Sequence, residues 1–164
     1  AGPAEIAELG CGGGRNVREL LRRYPAAKIT ALDYSEVSVE KTKRVNRREI
    51  QKGRCRVIQG DVSRLPFGDE KFDLATAFET VYFWPGPMES LREVYRVLKP
   101  GGTFLITNES DGMSPSDEKW LSTIDGLRIF DKAQLSVFLT EVGFTEVVVH
   151  HDAKRHRLCI LAVR

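Results

Sequence analysis

Extended apolar segments alternate with amphipathic helical segments along most of this 164-residue chain, and this alternation constrains its fold more than any other feature. Strands are predicted at 4–9, 28–32, 55–59, 72–78 and 103–107. Helices are predicted at 16–24, at 35–51 and in the segment that ends before Lys99-Pro100-Gly101-Gly102. In the first and last of these, apolar residues recur at i, i+3, i+4 and i+7, the spacing of one helix face. This order of elements predicts a parallel sheet with helices on both faces.

The last part of the chain departs from that alternation. A further helix is predicted to end at Gly143, with Asp131 as its N-terminal cap. Two strands follow, at 146–150 and 158–163, and only a short polar turn at 152–156 separates them. Because this turn is too short for a helical crossover, the two strands must be antiparallel. The sequence therefore predicts an α/β fold whose mostly parallel sheet ends in an antiparallel hairpin.

The size and composition of the chain are those of a single globular domain. Hydrophobic residues make up 41% and charged residues 29%, and the formal net charge of +2 is too small to favour a nucleic-acid partner. No apolar run is long enough to span a membrane, and no signal-peptide pattern opens the chain. These features predict a cytoplasmic protein that contacts neither nucleic acid nor membrane, and they leave its oligomeric state open.

The cysteines and histidines do not form a metal-binding pattern in the sequence. The cysteines, Cys11, Cys55 and Cys159, are odd in number and widely spaced, which is typical of reduced thiols in a cytosolic protein. The histidines, His150, His151 and His156, are interpreted as surface or strand-edge residues. No metal site is predicted.

A glycine-rich loop, Glu8-Leu9-Gly10-Cys11-Gly12-Gly13-Gly14, joins the first strand to the first helix. Glycines permit a tight turn there and let the backbone approach a ligand closely. The N-terminus of the following helix favours a carboxylate or phosphate. The nicotinamide fingerprint G-x-G-x-x-G fails because Arg15 stands at its third glycine, whereas the pattern acid-x-G-x-G-x-G fits.

Acidic residues lie at the ends of three successive predicted strands: Glu8, Asp33 and Asp61. The carboxyl ends of parallel strands meet at one edge of the sheet, in the crevice where such folds bind ligands. An acid at the end of the second strand can accept hydrogen bonds from both hydroxyls of a ribose. One such acid is common in turns, but three beside a glycine loop predict a ligand site.

With these motifs, the chain resembles the class I S-adenosylmethionine (SAM)-dependent methyltransferases of the small cytosolic kind. The stretches that carry the resemblance are Glu8 to Gly14, Ala31 to Ser35, Gly60 to Val62, Phe72 to Leu74 and Leu91 to Gly102. The resemblance implies a Rossmann-like sheet, and the predicted C-terminal hairpin matches the reversed last strand of that family. Family members usually carry helices before the first strand, so residues 1–164 are expected to be one SAM-binding domain without those covering helices.

The resemblance also implies roles for individual residues around the cofactor. Glu8 and the backbone of Gly10, Cys11 and Gly12 would hold the methionine end of SAM. Asp33 would bind the ribose hydroxyls.

The remaining cofactor contacts are implied in the same way. Tyr34 would pack on the adenine, and Asp61 would accept a hydrogen bond from the adenine amino group, with the N–H of Val62 nearby. Glu79 would lie near the methionine moiety and the methyl acceptor.

The residues expected on the methyl-acceptor side of the crevice follow the fourth strand, where aromatic residues precede Pro85. Tyr82 and Trp84, with Glu79, are weak candidates for acceptor contacts, although aromatic residues here also suit packing against the next helix. Asn108, Glu109 and Asp111 are still weaker candidates. Methyl transfer from a sulfonium depends mainly on holding the acceptor in line with the methyl group, so the sequence identifies no catalytic residue.

The function predicted from these features is methyl transfer from SAM to a small-molecule acceptor, with S-adenosylhomocysteine (SAH) as the product. An RNA or protein methyltransferase and a non-catalytic SAM-binding domain remain alternatives. The segment from Lys41 to Arg56 is rich in Lys and Arg, with only Glu49 opposing them, but it lacks aromatic residues for base stacking and suits a solvated helix. A nicotinamide-dependent oxidoreductase is disfavoured by Arg15 and by the terminal hairpin.

Overall fold

The computed structural model describes residues 2–164, which form one seven-stranded sheet flanked by helices. The strands are β1 (Glu5–Leu9), β2 (Lys28–Asp33), β3 (Cys55–Gln59), β4 (Phe72–Phe78), β5 (Leu98–Asn108), β6 (Thr145–Asp152) and β7 (Arg157–Val163). The helices are α1 (Arg15–Arg23), α2 (Glu36–Val45), α3 (Arg47–Gln51), α4 (Pro87–Val97), α5 (Asp117–Thr123) and α6 (Lys132–Val142). No helix within residues 2–164 is long and apolar enough to cross a membrane.

The sheet has the strand order β3-β2-β1-β4-β5-β7-β6. Strands β1 to β5 pair in parallel, whereas β7 pairs antiparallel with both β5 and β6. The predicted mostly parallel, Rossmann-like sheet with a C-terminal antiparallel hairpin is confirmed. The chain runs from β1 to β2 and β3 on one side of β1, and then crosses to β4 on the other side. This reversal opens a crevice at the carboxyl ends of the central strands.

The two faces of the sheet carry separate apolar cores. Side chains alternate along β1, so that Ile6 packs with the core that includes α1, while Ala7 packs with the core that includes α4 and α6. Both side chains are fully buried. Burial on both faces explains why the central strands read as nearly continuous apolar runs, and it holds the ends of these strands in a fixed arrangement.

The predicted helix at 35–51 is interrupted, and this is a correction to the sequence prediction. Helix α2 ends at Val45, and a separate short helix, α3, begins at Arg47. Between them, the buried Asn46 side chain donates hydrogen bonds to the carbonyls of Gly14 and Thr42. Because an asparagine side chain competes for backbone partners, it favours a break at this position. The break also ties α2 to the glycine loop.

Strand β5 begins earlier than predicted, which is a second correction. It starts at Leu98, directly after α4, instead of at Thr103. Leu98 pairs with Phe72, and the register then shifts before Thr103 pairs with Leu74. The shift places Gly102 so close to the backbone that a Cβ atom would lie 2.8 Å from the carbonyl oxygen of Lys99. Gly101 and Gly102, which were predicted only to end a helix, therefore also lie in the irregular first part of β5.

Candidate functional site

A cavity of about 920 Å³ lies at the carboxyl ends of the central strands. The predicted site residues that line it are Gly10, Cys11, Gly12, Asp33, Tyr34, Asp61, Val62, Glu79 and Trp84. Two predicted residues, Glu8 and Tyr82, do not line it. The structure thus brings together residues from the loops after β1, β2, β3 and β4, as expected for a ligand crevice in a sheet of this kind.

The glycine loop is held rigidly beneath this cavity. The N–H groups of Gly10 and Cys11 both donate to the carbonyl oxygen of Leu32, at 2.8 and 3.0 Å. Gly10 has a φ of 87°, and a Cβ atom there would lie 2.0 Å from Oγ1 of Thr80. Gly12 also has a positive φ, of 49°, but a Cβ atom there would meet nothing within 4 Å. The first glycine is therefore needed for packing, and the second leaves open space beside the cavity.

Asp33 joins the glycine loop to the turn after β2. Its Oδ2 accepts a hydrogen bond of 2.8 Å from the N–H of Gly12, and its Oδ1 accepts one of 2.9 Å from the N–H of Ser35. A carboxylate oxygen can accept more than one hydrogen bond, so both oxygens retain capacity for a ligand. The protein thus fixes the Asp33 carboxylate at the cavity wall in an orientation suited to a pair of donor hydroxyls.

The adenine side of the predicted site is more open. Tyr34 is 82% exposed and lies at the rim of the cavity. Asp61 caps the short 3-10 turn Val62–Arg64, because its Oδ1 accepts hydrogen bonds from the backbone N–H and the hydroxyl of Ser63. The exposed ring of Tyr34 and the carboxylate of Asp61 line the same cavity and are available to a ligand in it.

Glu8 lies beneath the cavity wall, fully buried in β1. One carboxyl oxygen hydrogen-bonds with the hydroxyl of Thr76, and Oε1 has no partner within residues 2–164. Burial raises the pKa of this carboxyl well above 4.5, which outweighs the opposing effect of the Thr76 hydrogen bond. Its predicted contact with the methionine end of a cofactor remains a prediction.

The buried carboxyl of Glu8 should make stability depend on pH. Between pH 4.5 and its raised folded pKa, the carboxyl carries a proton in the folded chain but not in the unfolded chain. Its contribution to the unfolding free energy is therefore complete below pH 4.5 and falls as pH rises, by up to about 1.4 kcal/mol per pH unit. Urea denaturation of the wild type and Glu8→Gln between pH 5 and 8 measures this difference. Parallel pH dependence of the two proteins would contradict the assignment.

Glu79 directly follows β4 and has a φ of 56°, a conformation that non-glycine residues rarely adopt. Its Oε2 accepts hydrogen bonds of 3.0 Å from the Tyr82 hydroxyl and from the N–H of Glu109. Burial raises the pKa of the Glu79 carboxyl despite these donors. Tyr82 thus contacts the site through Glu79. Trp84 stacks on Phe104 with ring centroids 6.2 Å apart and also lines the cavity.

A second cavity, of about 650 Å³, lies beside the first, and Glu79 lines both. Its walls come from the ends of β5 and β6 and the start of β7. Beside it, the buried carboxylate of Asp111 accepts hydrogen bonds from the rings of His151 and His156. The sequence predicted these histidines to be surface or strand-edge residues, and it did not predict that two of them contact Asp111. Within residues 2–164, no group of three or more His, Cys, Asp and Glu side chains is arranged to hold a metal ion.

The fold and the cavity define a Rossmann-like, nucleotide-cofactor type of domain, and comparison with known proteins identifies its family. The family model for "Methyltransferase domain" matches residues 7–106. The chain belongs to this methyltransferase-domain family. The match begins in β1 and ends in β5, so it contains the glycine loop and the strand ends that line the larger cavity.

Individual relatives agree with this assignment. The chain is 32% identical over 157 residues to sterol 24-C-methyltransferase erg-4 of Neurospora crassa, covering 90% of this chain and 41% of that protein. It is 33% identical over 123 residues to phthiotriol/phenolphthiotriol dimycocerosates methyltransferase 1 of Mycobacterium ulcerans, covering 74% of this chain and 42% of that protein. The chain thus spans less than half the length of these curated relatives.

Solved structures show the same fold at low sequence identity. A SAM-dependent methyltransferase from Aquifex aeolicus has a TM-score of 0.80 at 18% identity, with 98% of this chain and 81% of that chain covered. A protein solved in complex with the Haloferax volcanii Trm112 methyltransferase activator has a TM-score of 0.87 at 20% identity, with 98% and 82% covered. These structures support the architecture.

Proposed function

We propose that residues 1–164 form the SAM-binding domain of a methyltransferase that acts on a small, partly apolar acceptor. The observation that carries the proposal is the cavity in which the glycine loop, the fixed carboxylate of Asp33 and the exposed ring of Tyr34 face the same space. Membership in the methyltransferase-domain family supports the same reading.

The residues of the larger cavity fit SAM by the chemistry of their side chains. Asp33 offers two acceptor oxygens for the ribose hydroxyls, and Asp61 offers an acceptor for the adenine amino group. Tyr34 supplies a flat apolar face for the adenine. The open space beside Gly12 leaves room for the amino-acid end of the cofactor. When bound, SAM supplies a methyl group activated by its positive sulfur.

The chain itself contributes mainly position and electrostatics to the reaction. Rigid strand ends fix the loops that line the cavity, and such positioning can supply much of the rate of a displacement reaction. The Glu79 carboxylate, held by Tyr82 and the Glu109 N–H, places negative charge between the two cavities when it is ionised. Negative charge there favours binding of the cationic sulfonium group.

The acceptor is proposed to be a small molecule because the space next to Glu79 is a cavity of about 650 Å³ with mixed lining. Cys159 and Thr107 lie side by side on one face of the sheet and line the second cavity. The curated relatives named above are methyltransferases of sterols and of phthiotriol-type compounds, which supports a partly apolar acceptor. Lys and Arg residues of the 41–56 segment do not line either cavity.

Calorimetric titration of this chain with SAH and with NAD tests the cofactor assignment. We expect SAH to bind with a micromolar dissociation constant, which corresponds to about 8 kcal/mol of binding free energy. We expect no measurable heat from NAD, since Arg15 replaces the third glycine of the nicotinamide fingerprint. Binding of NAD in place of SAH would refute the proposed function.

A further inference from the structure

Glu79 lies at the junction of the two cavities. Within residues 2–164, it is the one residue that lines both of them. The larger cavity holds the residues proposed to bind SAM, and the ends of β5, β6 and β7 form the second. A methyl acceptor must approach the methyl group to about 3–3.5 Å before it can react. A side chain at this junction is therefore placed to touch both the methyl donor and an acceptor.

The protein holds only one oxygen of the Glu79 carboxylate. Oε2 accepts hydrogen bonds of 3.0 Å from the Tyr82 hydroxyl and from the N–H of Glu109. In the part of the chain that the structure describes, Oε1 has no hydrogen-bond partner, and Glu79 is exposed. One oxygen thus fixes the carboxylate, and the other is free to contact a ligand.

The backbone at Glu79 is held in an unfavourable conformation. Its φ of 56° lies in the left-handed region, which is disfavoured for residues with a side chain. The N–H of Glu79 donates to the carbonyl oxygen of Thr107 at 2.9 Å, so the turn after β4 is tied to β5. Residues in such conformations concentrate at functional sites, where the surrounding structure holds a side chain in a required position.

Three neighbouring groups influence the ionisation of the Glu79 carboxyl: Tyr82, Glu109 and Arg157. Burial has the largest effect and raises the pKa of Glu79, and the negative charge of Glu109 adds to it. The hydrogen bonds from the Glu109 N–H and from Tyr82, and the positive charge of Arg157, oppose this rise. Burial and the Glu79 carboxylate raise the pKa of Tyr82, so its hydroxyl remains a donor. A carboxylate whose pKa is raised is a stronger base.

Other titratable groups of the second cavity are less suited to the junction. Glu109 pairs with Arg157 at 3.2 Å. His150 to Asp152 belong to β6, and β5 and β7 separate that strand from β4. Three strand spacings of about 4.8 Å place β6 about 14 Å from β4. Burial raises the pKa of the Cys159 thiol, which therefore keeps its proton. Glu79 is thus the base nearest to the proposed methyl donor.

On the basis of the proposed function, we propose that Oε1 of Glu79 accepts the proton of an alcohol or phenol while the oxygen of that hydroxyl receives the methyl group. Glu79 is then a catalytic residue, and Tyr82 is a positioning residue that holds the other carboxylate oxygen. A hydroxyl is the acceptor group that needs such a base, because it is a weak nucleophile until its proton is removed. A neutral amine attacks without one.

The step balances in atoms and charge. A lone pair of the hydroxyl oxygen forms the new bond to the methyl carbon. The carbon–sulfur bond of SAM breaks with its electron pair going to sulfur, which gives neutral SAH. The hydroxyl proton moves to Oε1, so the Glu79 carboxylate becomes a neutral carboxylic acid and later releases the proton to solvent. The positive charge of the sulfonium and the negative charge of the carboxylate thus disappear together.

Sinefungin tests the position of Glu79 without any acceptor. This SAM analogue carries an ammonium group in place of the methylated sulfonium, whereas SAH carries no charge there. Calorimetry at pH 7.5 compares the two dissociation constants. We expect sinefungin to bind about tenfold more tightly than SAH in the wild type, and less than about twofold more tightly in Glu79→Gln. An equal ratio in the two proteins would overturn the proposal, because Oε1 would then lie too far from the methyl position.

Two phenols separate proton removal from the attraction of the same carboxylate for the sulfonium. The chain is incubated at pH 8 with SAM and either 2-naphthol, which is protonated in solution, or 4-nitrophenol, which is largely ionised, and SAH release is followed. In Glu79→Gln we expect kcat to fall about 100-fold for 2-naphthol and about threefold or less for 4-nitrophenol, since a phenolate needs no base. Glu141→Gln, an exposed change on α6 outside both cavities, should retain wild-type kcat.

Tyr82→Phe tests the positioning role through the pH profile. The kcat for 2-naphthol should rise with pH as Glu79 loses its proton. The hydrogen bond from Tyr82 lowers the pKa of Glu79, so its loss should move this rise to higher pH. An unmoved profile with a lower kcat at every pH would show that Tyr82 does not act through the ionisation of Glu79, and would overturn its positioning role.

The outcomes separate this inference from the proposed function. Retained kcat for 2-naphthol in Glu79→Gln, or equal losses with the two phenols, would overturn the proton-accepting role. Turnover of neither phenol by a chain that binds SAH would overturn the hydroxyl acceptor class and leave the cofactor assignment standing. Failure to bind SAH would refute the proposed function itself.

Discussion

Replacing Asp33 with alanine is expected to weaken SAH binding by about 100-fold, or about 2.7 kcal/mol. Two effects combine in this loss. The carboxylate is the proposed acceptor for the ribose hydroxyls, and it also holds the N–H groups of Gly12 and Ser35 at 2.8 and 2.9 Å. Alanine removes both the ligand contact and the link between the glycine loop and the turn after β2. Calorimetric titration with SAH measures the change.

Two further variants separate these effects. Asp33→Asn keeps the shape of the side chain, but its amide NH₂ must face one of the two backbone N–H donors. We therefore expect its SAH affinity to lie between that of the wild type and that of Asp33→Ala. Asp125→Ala removes an exposed carboxylate outside both cavities and should leave SAH affinity unchanged. If Asp33→Ala binds SAH as tightly as Asp125→Ala does, Asp33 does not contact the cofactor.

The parts of the fold that the sequence predicts are those set by local patterns. Short apolar runs alternate with segments whose apolar residues have helical spacing, and this alternation predicted the parallel sheet. The runs are apolar throughout because strands that are buried on both faces have no polar face. The short turn at 152–156 gave the antiparallel hairpin, because so few residues cannot return a strand in parallel. The loop from Glu8 to Gly14 located the larger cavity, since its glycines mark a turn at a strand end.

The parts that local patterns could not predict depend on contacts between distant residues. Asp111 and His151 are 40 positions apart, and Asp111 and His156 are 45 apart. They meet because β7 lies between β5 and β6, which brings the segment after β5 beside the β6–β7 turn. The break between α2 and α3 at Asn46 also depends on a distant contact, since the Asn46 side chain hydrogen-bonds to Gly14, which is 32 positions away.

The complete burial of Glu8 is a property that the motif around it does not predict. Its position in the acid-x-G-x-G-x-G pattern places it at the edge of the sheet near the cavity, but the alternation of side chains along β1 buries it completely. Whether an acid near a strand end faces the ligand or the core depends on the neighbouring strand. Here Thr76 of β4 provides its hydrogen-bond partner.

Gly10→Ala is expected to destabilise the fold by about 2–4 kcal/mol, because it combines a left-handed backbone with a steric clash. Gly10 has a φ of 87°, and its new Cβ atom would lie 2.0 Å from Oγ1 and 2.6 Å from Cβ of Thr80. Gly12→Ala is the matched control, since its φ is also positive but its Cβ atom would meet nothing within 4 Å. We expect it to cost only about 1 kcal/mol. Urea denaturation measures both losses.

The two glycines should also differ in what they do for the ligand. Gly12 lines the cavity, so a methyl group there occupies space that the proposed cofactor needs, and Gly12→Ala should reduce SAH affinity more than it reduces stability. In a Thr80→Gly background, Gly10→Ala should cost about 1 kcal/mol, because only the backbone strain remains. If Gly10→Ala lowers the unfolding free energy equally in the two backgrounds, contact with Thr80 is not the reason that this position needs glycine. A smaller cost in the Thr80→Gly background would show that contact with Thr80 is what requires the first glycine of the pattern.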